Sequence, residues 1–92
     1  MTVYRFDLVS EQSAGEYPGH IICVGGDRER ITGTLTPYGQ VPELSEQALE
    51  SAIYRALLFR QRDARPIGIR DNGRLWPRRL GAVIPWEPSE GV

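Results

Sequence analysis

His20 to Thr36 reads HIICVGGDRERITGTLT, and the way this stretch divides decides the fold. His20 to Val24 is an apolar run, Gly25-Gly26-Asp27 is a reversal, and Glu29 to Thr36 alternates. Ile31, Gly33 and Leu35 fall on one side of the second run; Arg30, Thr32, Thr34 and Thr36 fall on the other. Period-two alternation on the far side of a glycine turn is the pattern of an antiparallel hairpin.

Upstream, Val3 to Val9 also alternates, setting Tyr4, Phe6 and Leu8 against Arg5 and Asp7, so a first half-buried strand is expected there. Ser10 to Gly19 is polar and closes on Tyr17-Pro18-Gly19, which reads as a surface loop. Downstream, Pro37-Tyr38-Gly39 breaks the sheet. A helix should then run from an N-cap at Ser45, with Glu46 in its first turn, to about Arg62. At 100° per residue, Leu49, Ala52, Ile53, Ala56, Leu57 and Phe59 form one apolar stripe that packs on the sheet. Pro66 forbids continuation. Ile67 to Arg70 and Leu75-Trp76 flank Asp71-Asn72-Gly73-Arg74, which reads as a type I′ hairpin, and Leu80 to Ile84 is a last strand ended by Pro85. The expected architecture is α+β in the order βββ-α-ββ(β): an antiparallel sheet of five to six strands with one long helix on one face. Residues 1–86 make one domain, with Trp86 closing a core edge and residues 87–92 a flexible tail.

The chain has 92 residues, room for one core, and 40% hydrophobic against 25% charged content is near the globular average. No apolar run approaches the roughly 20 residues of a membrane span, and the first ten residues lack a signal-peptide core, so a cytoplasmic protein without membrane association is expected. A single cysteine, Cys23, cannot form an internal disulfide. His20 and Cys23 are the lone imidazole and thiol. An offset of three along a strand puts them on opposite faces, which rules out a nucleophilic dyad; the expectation is a core cysteine beside an exposed histidine. Two soft ligands are too few for structural zinc, and with no lysine there is no phosphate-binding P-loop, so no metal and no cofactor are expected. No pair of acids stands out for acid–base work. No catalytic residue is assigned, although a small RNase-type toxin built from Arg, Glu and Tyr stays among the alternatives.

Two surfaces remain. Tyr54 and Leu58 lie four residues apart on what should be the solvent face of the helix, so with Arg55 and Arg62 at the rim they could form a contact for a protein partner or for a second copy in a homodimer. They could equally be two singly exposed apolar residues, which monomers tolerate. The second surface is basic. Residues 1–46 hold three Arg against seven acids, whereas residues 47–92 hold eight Arg against five. Arg60, Arg65, Arg70, Arg74, Arg78 and Arg79, with Trp76 among them, could gather around the terminal hairpin and meet RNA, DNA or an acidic partner. An overall pI of about 5.8 weighs toward a solvated face instead. The leading expectation is a non-enzymatic interaction module, an inhibitor, antitoxin-like regulator or assembly adaptor, and the alternative is a nucleic-acid-binding regulator using Arg55 to Arg79.

Overall fold

The computed structural model describes residues 5–43 and 45–87. Tyr4 and the expected tail from residue 88 onward lie outside them. Six strands and one helix follow in the order β1 (Arg5–Leu8), β2 (His20–Gly26), β3 (Ile31–Thr36), β4 (Gln47–Ala48), α1 (Leu49–Asp63), β5 (Ile67–Arg70) and β6 (Ala82–Pro85). The fold is α+β with a single sheet. The sheet order is β4-β3-β2-β5-β1-β6.

The hairpin forms as its alternation requires: β2 and β3 pair antiparallel, Cys23 opposite Thr34 and Ile22 opposite Leu35. Asp27 closes the turn by accepting the N–H groups of Glu29 and Arg30. The rest of the sheet corrects the antiparallel expectation. β5 runs parallel to both β2 and β1, and β6 runs parallel to β1, so the sheet is mixed. The cause is the connection of residues 9–19, long enough to carry the chain from the end of β1 back to the start of β2. It leaves a slot between two parallel strands, and β5 fills it. Ile67, Gly68 and Ile69 are all buried, as a strand covered on both faces must be.

The Asn-Gly hairpin is absent. Asn72 does not have the positive φ that a type I′ turn demands, and Leu75-Trp76 is not a strand. Asp71 organises the segment instead, its carboxylate accepting the N–H groups of Leu75 and Trp76 at 2.8 Å each. The chain then crosses back over the sheet beside α1. Trp76 packs edge-on against Phe6 at 5.4 Å and donates its indole N–H to the Gly81 carbonyl at 3.0 Å.

The helix starts at Leu49, later than Ser45 suggested, and no side chain caps it. Gln47 and Ala48 are taken up in pairing with β3, and Glu46 accepts a hydrogen bond from the Thr32 hydroxyl. The acid in the first turn is Glu50. Leu49, Ala52, Ile53 and Ala56 are buried and Leu57 and Phe59 half-buried, in the expected phase. The helix comes close to the sheet over Gly33, where a Cβ would lie 2.9 Å from that of Ala52. On the opposite face, residues 9–19 bring Tyr17 over Gly68, and Trp86 packs edge-on against Tyr17 at 5.0 Å. No helix among the described residues is long and apolar enough to cross a membrane.

Candidate interaction surface

Because α1 buries the Leu49-Ala52-Ile53-Ala56 stripe, residues half a turn away must face solvent. Tyr54 is 65% exposed and Leu58 42% exposed, one helical turn apart, and Arg55 and Arg62 are exposed beside them. A shallow groove of about 190 Å³ runs along this face, lined by Arg55, Leu58, Phe59 and Arg62. Phe59, read from sequence as part of the core stripe, has one side in that groove. The segment after β3 borders the same face, since Glu43 accepts a hydrogen bond from Arg55 Nε at 3.2 Å. That segment carries two further exposed apolar side chains, Val41 at 81% and Tyr38 at 42%. From sequence, Pro37-Tyr38-Gly39 reads only as a break in the sheet.

The arginines of the second surface are placed apart. Arg65 follows the end of α1, its guanidinium 3.6 Å from the centroid of the Tyr38 ring and donating to the Pro18 carbonyl at 3.1 Å. Arg79 sits at the other end of the helix, donating to Glu50 at 3.0 Å, about 20 Å away at 1.5 Å rise per residue. That contact, together with Glu50's own backbone N–H as the larger cause, holds the Glu50 carboxyl below its usual range. Arg60 is exposed on α1, and Arg74 and Arg78 are exposed in the crossover. Arg70 lies on the sheet face away from the helix. Its Nη1 is 3.9 Å from Cys23 Sγ, its Nη2 3.8 Å from Glu11, and its Nε is buried without an acceptor. Trp76 is spent on the core.

His20 and Cys23 exchange the places expected of them. Even-numbered residues of β2 face α1, so His20 is buried at 1% exposure while Cys23 is half-exposed on the sheet face away from α1, opposite Thr34 and Arg70. Nδ1 accepts the Tyr38 N–H at 3.0 Å, whereas Nε2, 2.9 Å from Asp63 Oδ2, is buried without a hydrogen bond of good geometry. A histidine so buried presents neither ring nitrogen to a substrate. Among the described residues, no group of three or more His, Cys, Asp or Glu side chains comes together as a metal site. No protein-family model, curated protein or solved structure matches this chain.

Proposed function

We propose that this chain is a non-enzymatic interaction module that engages a protein partner, or a second copy of itself, through the outer face of α1. The observation that carries the reading is the Tyr54/Leu58 pair, exposed one turn apart beside a groove with arginines at its rim. Covering what is exposed of these two side chains removes apolar area worth on the order of 1 kcal/mol each. Tyr and Arg are the residue types that anchor protein contacts. The surroundings suit an apolar ridge flanked by carboxylates, because Arg62 has no ion pair among the described residues. Inhibitor, antitoxin-like regulator and assembly adaptor are roles that such a surface serves.

Sedimentation equilibrium on the full chain and on Leu58→Asp, at rising concentration, tests the self-association form. A mass that grows with concentration in the parent and stays monomeric in the variant supports it, and a monomeric parent assigns the face to a different protein. Fluorescence anisotropy with random RNA and DNA at roughly 50 and 200 mM salt runs alongside. Micromolar, steeply salt-dependent binding by a monomeric chain, unaffected by Leu58→Asp, would overturn the reading in favour of nucleic acid.

A further inference from the structure

His20 joins three segments that are far apart in sequence: the start of β2, the residues after β3, and the end of α1. Its ring is 1% exposed and lies 5.3 Å from that of Phe59. Nδ1 accepts the Tyr38 N–H, so the ring proton resides on Nε2, which lies 2.9 Å from Asp63 Oδ2 but off the direction of a hydrogen bond. The charged groups around the ring are the Asp63 carboxylate and, behind it, Arg65, which donates its N–H to Asp63 Oδ1 at 3.0 Å and rests on the Tyr38 ring. From α1 the Phe59 ring supplies a neutral wall, and from the segment after β3 the Tyr38 amide does so.

We propose that His20 is a protonation-operated latch that fastens residues 37–40 to the C-terminal end of α1. The neutral ring accepts at Nδ1 and donates at Nε2; the imidazolium donates at both. Asp63 Oδ2 stays within 2.9 Å of Nε2, close to either form. The Tyr38 amide serves only the neutral one, because on protonation two donors face each other at 3.0 Å, and a buried donor stripped of its acceptor is a costly arrangement. Protonation therefore turns residues 37–40 away from α1, while Glu43 stays tied through its N–H to the Leu35 carbonyl at 2.9 Å. The effect of this on binding rests on the reading of α1's outer face as an interface; the latch itself does not.

The test is hydrogen exchange at the Tyr38 amide of the 15N-labelled full chain between pH 7.5 and pH 5, each rate divided by the intrinsic rate at that pH, with Ile22 as a core reference. Protection of Tyr38 should fall about tenfold per pH unit once the imidazole charges, the slope of one linked proton, while Ile22 stays protected. Side-chain 15N shifts at pH 7.5 should report the Nε2–H tautomer. His20→Gln should make Tyr38 protection independent of pH. Asp63→Asn, which keeps an acceptor for Nε2 but removes the charge that favours the imidazolium, should move the loss to lower pH, and it serves if His20→Gln does not fold. Constant Tyr38 protection in the parent, parallel loss at Ile22, an Nδ1–H tautomer, or an unchanged profile in Asp63→Asn would each overturn the latch. Sedimentation at pH 7.5 reports on the interface separately, so failure of one proposal is not mistaken for failure of the other.

Discussion

Tyr17 shows how one side chain sets a limit on the whole fold. It is 5% exposed and donates its hydroxyl to Asp7 at 2.6 Å. Burial is the larger cause, and the Asp7 carboxylate the next, of a phenol pKa raised well above its ordinary value. A raised folded pKa gives stability that is present below the unfolded value, about 10, and is lost as pH rises beyond it. Absorbance titration should therefore show Tyr17 silent until the fold is lost, with unfolding setting in above about pH 10. Tyr17→Phe should cost about 1.5 to 3 kcal/mol at neutral pH, the worth of a hydrogen bond to a charged group, and should flatten that alkaline limb. Asp63 works in the opposite sense. The Arg65 backbone N–H is the first cause, and His20 a further one, of a carboxyl held below its usual range. A lowered folded pKa gives stability that is present above about 3.9 and is lost as pH falls through the folded value. Asp63→Ala should lower the melting temperature at pH 7, and the gap should close as both proteins are acidified below the ordinary carboxylate range. A gap that persists at pH 2 would show that the charge of Asp63 is not what matters.

At the scale of elements, the legible parts of the sequence were those governed by local period. The β2–β3 hairpin, the buried stripe of α1 and the exposure of Tyr54 and Leu58 all follow from counting in twos or in 3.6. The strand that centres the sheet was legible in kind but not in partner. Ile67-Gly68-Ile69 is a short apolar run with no polar side, the mark of a strand covered on both faces, yet the Asn-Gly after it pointed to a hairpin. Asp71 decides against that hairpin with hydrogen bonds to residues four and five positions on. Asp71→Ala should strand two N–H groups and lower stability by about 1 to 3 kcal/mol, read as a shifted urea midpoint. Gly68 is the matching requirement on the other face, since a Cβ there would lie 2.6 Å from Val9 and 2.8 Å from Tyr17. Gly68→Ala should cost about 1 to 3 kcal/mol through overpacking and should raise the exposure of Trp86, which leans on Tyr17. A neutral Gly68→Ala would mean that residues 9–19 do not seat on the sheet. The outer edge of β6 (Ala82–Pro85) lacks one of its donors. Trp86 turns its N–H inward to Leu8, so by alternation the outward position two residues along from Val83 is Pro85, which has no N–H to give.

At the scale of the whole molecule, the arrangement depends on both ends of the chain. β5 lies between β1 and β2, and β1 lies between β5 and β6. The order of strands in space is thus far from their order in sequence, which is why the arginines of residues 60–79 read as neighbours yet end on different faces and at opposite ends of α1. Pairings so distant in sequence make folding slow for a domain of this size, in the range of milliseconds to seconds. They also make it all-or-none. A fragment of residues 1–66 retains β2, β3 and the whole of α1, but it loses Ile67 and Ile69 from the core, and β1 loses both of its parallel partners. A chain of about 60 residues buries too little surface to tolerate such losses. The fragment should therefore give a narrow, unfolded amide spectrum, although it contains every residue of the hairpin and of the candidate interface. Adding residues 64–92 as a peptide should restore dispersion, with Ile67 and Ile69 entering the slot between β1 and β2. If the fragment alone gives a dispersed spectrum, β5 is an accessory to a sheet that β2 and β3 can build without it. In that case the parallel pairings would hold the crossover in place and contribute little to the stability of the core.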